Sequence, residues 1–293
     1  MAIKKAFLFP GQGSQLSGMG SSLYESFPDI RHLFDEADEI LGYGLRNLMF
    51  YGAEEELKRT EVTQPAVYVY SYATYISRSP GIADAVAGHS LGEITAIVAA
   101  EALDFATGLR LVDARARAMQ VACGMTESTM AAILGLDDDL VTRICEETPG
   151  IVVAANFNCP GQVVISGETH AVGLASESCK QAGAKRAIML PVGGAFHSPL
   201  MAPAVDLFAK TIDSIEFRTP VVPVYQNVDG MSSTEADVIK QKLVRQLTAS
   251  VMWTSTIQAI QNNGIEEYVE FGSKVLGGFV KKIHKEAVVT SFE

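Results

Sequence analysis

The apolar positions of this chain fall into short runs closed by glycine or proline, alternating with longer stretches that have an apolar stripe at helical spacing. Ala6-Phe7-Leu8-Phe9 predicts a strand that runs into the sharp loop Pro10-Gly11-Gln12-Gly13-Ser14-Gln15. An acidic amphipathic helix is expected around Pro28–Leu41, and after a turn-rich segment another from Thr63-Gln64-Pro65-Ala66 through Tyr75. Ile82–Ala87, bounded by Gly81 and Gly88, predicts a second buried strand; Leu91–Leu103 and about Phe105–Val121 have helical composition.

The middle reads differently. Strands are expected at Met130–Leu136, Ile151–Asn156, Val163–Ser166 and Arg186–Leu190, with helices at Asp138–Glu147 and Glu168–Ala182. The order β-α-β-β-α-β is the split, ferredoxin-like pattern. An inserted subdomain is therefore expected at 126–196, with 1–125 and 197–293 forming a larger α/β domain.

Composition narrows the class. At 293 residues, with 48% hydrophobic and 19% charged residues, the chain has the make-up of a folded globular protein. Lys+Arg 23 against Asp+Glu 34 leaves a net charge of −11, which argues against general binding to nucleic acid or anionic membrane. The longest apolar stretch, Ile94–Ala100, is far too short to span a bilayer. Lys4 and Lys5 before Ala6–Phe9 imitate a signal peptide, but Pro10 and Gly11 end the run too early. Cys123, Cys145, Cys159 and Cys179 show no CxxC pair and no histidine at metal-ligand spacing, so reduced thiols in a cytoplasmic protein and no metal are expected.

Gly88-His89-Ser90-Leu91-Gly92 matches G-x-S-x-G, with a strand entering and a helix leaving, the setting of a nucleophile elbow. Ser90 would stand at a helix N-terminus, where free N–H groups favour developing negative charge, and Leu91 N–H would be one oxyanion donor. The alternative is a serine that only caps its helix. A serine hydroxyl needs a base. His89 should point away from it, His32 and His170 lie on charged helical stretches, and His284 sits in a basic segment expected to face solvent. His197, in Gly193-Gly194-Ala195-Phe196-His197-Ser198, follows a strand and a glycine pair and is the favoured partner.

Arg115 is out of place. At 100° per residue from Arg110, it falls at about 140°, in the middle of the apolar face made by Leu111, Val112, Ala118 and Met119. A buried guanidinium should meet an anion. A structural Asp or Glu and a substrate carboxylate gripped by the planar fork are both open. Arg117 needs no more than a surface pair with Asp113.

Taken together, Gly11-Gln12-Gly13-Ser14-Gln15, Thr63-Gln64-Pro65-Ala66, Gly88-His89-Ser90-Leu91-Gly92-Glu93, Arg115, Asn156-Phe157-Asn158-Cys159-Pro160-Gly161-Gln162, Ala195-Phe196-His197-Ser198, Asn227-Val228-Asp229 and Arg245-Gln246-Leu247 resemble the malonyl-CoA:acyl carrier protein transacylase family over nearly the whole chain. The resemblance implies an α/β-hydrolase-like domain with a mostly parallel sheet and a ferredoxin-like insertion. It implies Ser90 as acylated nucleophile, His197 as base and acid, and Gln12 and Leu91 N–H as oxyanion hole. Arg115 would bind the malonyl carboxylate, the Gln246 backbone carbonyl would orient the histidine, and Gln64 would lie near the substrate. The implied partners are malonyl-CoA and acyl carrier protein, with no cofactor, metal, nucleic acid or membrane, for a cytoplasmic monomer of fatty acid or polyketide synthesis. Both partners are anionic, so a local basic patch is expected, with Lys185-Arg186 and Lys281-Lys282-Lys285 as candidates. A thioesterase sharing the elbow and a silent carrier-protein scaffold are the rival readings. Neither accounts for Arg115 together with Ser90 and His197.

Overall fold

A computed structural model describes residues 4–293. Two sheets organise them. β1 (Lys5–Phe9), β2 (Ala85–Gly88), β7 (Val224–Tyr225), β8 (Ser232–Ser233), β9 (Glu267–Phe271) and β10 (Val288–Phe292) form one, in the order β10-β9-β1-β2-β7-β8. All its pairings are parallel except that of β7 with β8. β1 is apolar at successive positions because helices cover both faces of the sheet. Phe7 and Phe9 pack on one side with Tyr75 and Phe271, while Ala6 and Leu8 pack on the other with Trp253 and Ile257.

β3 (Ser128–Leu134), β4 (Val152–Cys159), β5 (Gln162–Glu168) and β6 (Arg186–Met189) form a separate antiparallel sheet in the order β4-β5-β3-β6. Helices Asp138–Glu147 and Thr169–Gln181 cover one face of it, against Ala131, Ile133, Val163 and Ile165. The alternate positions Met130 and Val164 face the main core. This sheet is stitched to the rest of the molecule through β4: Phe157 N–H donates to Val251 O at 2.9 Å, and Val251 N–H to Ala155 O at 2.8 Å.

Several boundaries differ from the sequence expectation. β2 begins at Ala85 rather than Ile82, which is 81% exposed. Helix Gly92–Ala99 stops short of Leu103, since Glu101 takes a left-handed φ of 61°. Helix Thr60–Arg78 starts before Thr63 and runs through Pro65; the Glu61 carbonyl, which proline cannot satisfy, accepts from Tyr43 Oη at 3.2 Å. β4 continues past Asn156 to Cys159 because two register shifts keep it paired with β5.

β1 lies between β2 and β9, so chain connections leave it in both directions, and Phe9 pairs beside Gly88. The loops that follow these two strand ends therefore meet at one point, where open α/β sheets place their ligands.

Candidate active site

Three glycines bring the two loops into contact. A Cβ on Gly88 would lie 1.9 Å from Gly92 C, one on Gly92 would lie 2.1 Å from Phe9 O, and one on Gly11 would lie 2.4 Å from His89 O. His89 N–H donates to Phe9 O at 2.9 Å, locking the turn to the end of β1. Between Gly88 and Gly92 the chain reverses so tightly that Ser90 takes a φ of 52°. Ser90 is thus lifted off the sheet end, with Leu91 leading directly into helix Gly92–Ala99.

His197 Nε2 lies 2.7 Å from Ser90 Oγ, and its Nδ1 lies 2.8 Å from the Gln246 backbone oxygen. A carbonyl only accepts, so Nδ1 holds the proton and Nε2 is free to accept from the serine hydroxyl. Burial and the Arg115 charge hold the imidazole down at about 3, so it is neutral and ready to act as a base. The second sheet fixes the loop carrying it. Ser128 Oγ accepts from Ala195 N–H at 3.1 Å, and Ser166 Oγ donates to Phe196 O at 2.7 Å.

Arg115 is 1% exposed, as its place on the apolar helix face predicts. Among the described residues no carboxylate occupies its fork. Nη1 donates to Gln64 Oε1 at 2.7 Å; Nη2 donates to Gln246 Oε1 at 2.8 Å and to Ser90 Oγ at 3.1 Å. Nε has no partner among the described residues. Burial lowers the guanidinium to about 10, against the pull of Glu93, and it remains charged at neutral pH. Glu93 is itself held by Gln226 and Asn227. Of the two readings open from sequence, the structural acid in the fork is absent among the described residues. Arg117, by contrast, pairs with Asp113 at 2.8 Å on the surface.

These groups open into a cavity of about 260 Å³. Gln12 sits on its rim, and Met130, Ala132 and Val164 of the second sheet make an apolar wall. The backbone N–H groups of Gln12 and Leu91 donate to no protein acceptor among the described residues. The structure therefore brings together Ser90, His197, Arg115, Gln12, Gln64 and Gln246, from segments far apart in the chain. Among the described residues no group of three or more His, Cys, Asp or Glu could hold a metal.

His32 and His170 are exposed, as expected. His284 is not solvent-facing; it is 9% exposed, with Nδ1 3.3 Å from Tyr268 Oη. The basic run around it is amphipathic, and Lys281, Lys282 and Lys285 take the exposed side while the imidazole faces the core. His89 points away from Ser90 to Asn158 Oδ1, at 2.8 Å. Sequence reasoning assigned no role to Asn227 or Glu93, both fully buried beneath the elbow. In the sequence they show only as members of the Asn227-Val228-Asp229 and Gly88–Glu93 motifs.

Comparison with known proteins agrees with this geometry. The acyl transferase domain family model matches residues 6–274. The malonyl CoA-acyl carrier protein transacylase of Escherichia coli K12 is 45% identical over 284 residues, 95% of this chain and 92% of that protein. The Bacillus subtilis 168 protein of the same name is 45% identical over 96% of this chain and 91% of its own. Among solved structures, an acyl carrier protein S-malonyltransferase from Vibrio cholerae superposes with a TM-score of 0.94 at 40% identity, covering 99% of this chain and 97% of that one. A malonyl-transacylase solved in complex with a type II polyketide acyl carrier protein superposes with a TM-score of 0.95 at 41% identity, over 99% of this chain and 96% of that one. By this near-complete coverage the chain belongs to the acyl transferase domain family, among the malonyl CoA-acyl carrier protein transacylases.

Proposed function

We propose that this protein moves a malonyl group from malonyl-CoA to the phosphopantetheine thiol of acyl carrier protein, through a malonyl ester on Ser90. The observation that carries the proposal is the Arg115 fork: a buried cation 3.1 Å from Ser90 Oγ whose other acceptors are two neutral amides. A carboxylate on the acyl group is a stronger acceptor than either amide and can take both prongs. An acyl chain ending in carboxylate would then be measured between Arg115 and Ser90, which favours malonyl over neutral acyl groups.

The reaction runs in two halves. Ser90 Oγ gives its proton to His197 Nε2 and attacks the thioester carbonyl, whose oxygen turns to the Gln12 and Leu91 N–H groups. The C–S bond breaks, the imidazolium returns the proton to the CoA sulfur, and the serine ester remains. The carrier's thiol then gives its proton to His197 and attacks the ester, and Ser90 leaves with that proton. The Gln246 carbonyl holds the imidazole through both halves, stabilising the imidazolium as it forms. The apolar wall excludes water, which would otherwise hydrolyse the ester.

The two sheets support reading 126–196 as a ferredoxin-like insertion in an α/β-hydrolase-like unit made of 1–125 and 197–293, with residues 1–3 outside the described ones. The reaction as proposed draws only on side chains and backbone groups of this chain. Among the described residues no helix is long and apolar enough to cross a membrane. For the anionic partners, Lys282 is the better-placed cation: its Nζ reaches Gln162 Oε1 at 3.3 Å on the cavity rim.

Brief incubation with malonyl-CoA followed by intact-mass measurement tests the proposal. A malonyl adduct on Ser90 that is discharged by carrier protein is expected. Release of free malonate without a lasting adduct would assign a hydrolase, and no adduct would assign a silent scaffold.

A further inference from the structure

Left-handed backbone is unfavourable for a residue with a Cβ and persists only where neighbours hold it. At Ser90 one side chain reaches both arms of the turn, beside Gln246 Nε2, which donates to Ser90 O at 3.1 Å and lies 3.4 Å from Asn227 Oδ1. Asn227 Oδ1 accepts from Ser90 N–H at 2.6 Å, and Asn227 Nδ2 donates to Gly88 O at 2.7 Å, so a single amide bridges both arms of the turn. Asn227 is fully buried and is anchored in turn. Its N–H donates to Glu93 Oε2 at 2.7 Å, and its carbonyl accepts from Met252 N–H at 2.8 Å. The other Glu93 oxygen accepts from Gln226 Nε2 at 3.0 Å.

We propose that Asn227, anchored by Glu93, is the positioning residue of the nucleophile. It holds Ser90 in its left-handed conformation and takes up the Ser90 N–H, leaving the Leu91 N–H as the elbow's open oxyanion donor. The inference rests on the acyl-transfer reading above, but concerns the elbow itself. The site needs an acceptor and a donor on one short planar group, which an amide supplies and a carboxylate does not.

That requirement makes a distinctive test. In Asn227→Asp, one carboxylate oxygen would face Gly88 O, acceptor against acceptor. Protonation restores a donor there. The charged groups around it are Glu93 on the helix leaving the elbow and Arg115 on helix Phe105–Cys123, with His197 across the serine.

The experiment is single-turnover acylation of Ser90 by malonyl-CoA, with labelling by a fluorophosphonate as a second readout of the same hydroxyl. Asn227→Ala is expected to lower the acylation rate constant about a hundredfold, the scale of an ångström-sized misplacement. The malonyl-CoA Kd should stay within about twofold, because the Arg115 grip is untouched. Glu93→Ala should act in the same sense and add little on top of Asn227→Ala. Asn227→Asp should gain rate as pH is lowered from about 8 to about 5.5, where the parent gains none. Parent-like rates in Asn227→Ala would overturn the inference. Should that variant not fold, an Asn227→Asp rate that is parent-like or independent of pH would overturn it equally. If the parent itself takes no malonyl group, the transfer reading falls, and the fluorophosphonate rates still decide the role of Asn227.

Discussion

His197 Nδ1 donates to the backbone oxygen of Gln246 at 2.8 Å, so the imidazole is oriented by a main-chain carbonyl where many serine enzymes use an acid. A side-chain substitution at 246 leaves that carbonyl in place. It removes the Oε1 that receives Arg115 and the Nε2 that donates to Ser90 O at 3.1 Å. Gln246→Ala should therefore slow acylation by about tenfold, well short of the roughly 10⁴-fold loss on replacing a triad acid. Single-turnover kinetics check it; a loss as large as that of Ser90→Ala would show that the side chain, not the carbonyl, orients the base.

Arg115→Ala should weaken malonyl binding by about 1.5–3 kcal/mol, the cost of a charge-assisted contact. Discrimination against acetyl-CoA should shrink by a similar factor. The ratio of kcat/KM for the two thioesters checks this. Equal losses for both would make Arg115 a structural residue.

Gln64→Glu places inside the protein the acid that the native fork lacks, since Gln64 Oε1 already accepts from Arg115 Nη1 at 2.7 Å. The engineered carboxylate should compete with the substrate's, raising KM for malonyl-CoA by about tenfold or more. An unchanged KM would mean that the substrate does not use this prong.

The pH dependence follows from His197. Burial and Arg115 both disfavour its protonated form, holding it at about 3, below an ordinary histidine. Only neutral His197 accepts the serine proton, so the acid limb of kcat/KM should lie well below pH 5 for the parent. Arg115→Ala removes the larger of the charge effects on the imidazole, and its acid limb should move up. A parent limb centred near 6.5 would contradict this assignment.

Gly92→Ala would place a Cβ 2.1 Å from Phe9 O, where rigid backbone cannot yield. A loss of about 1–3 kcal/mol of stability, typical of overpacking, is expected together with loss of acylation. Denaturant midpoints and adduct yield check it; a stable, active variant would refute the tight elbow.

The sequence made some of this legible and hid the rest for physical reasons. The elbow is local: its glycines, serine and helix start lie within five residues, so the pattern shows in one window. Arg115 stood out because helical periodicity alone places it on an apolar face. Gln64 and Gln246 have no such local mark. An uncharged amide is unremarkable in any pattern, and their roles came only from family likeness. Asn227 acts on Gly88 and Ser90 across 139 and 137 residues, a relationship no window contains. A basic run looks solvated, yet one face of the amphipathic helix end turns the His284 imidazole inward. The strand-helix order of 126–196 was readable, whereas the ends of β4 depended on bulges set by its partner β5.

On the proposed reading, Arg115 grips the free carboxylate of the acyl group esterified to Ser90. A crystal structure of the malonyl adduct, trapped without carrier protein, tests it most directly. Both carboxylate oxygens should lie about 2.7–2.9 Å from the guanidinium nitrogens, with the Arg115 contact to Ser90 Oγ gone. A carboxylate turned to solvent, with Arg115 still donating to Gln64 and Gln246 as in the free enzyme, would contradict the account.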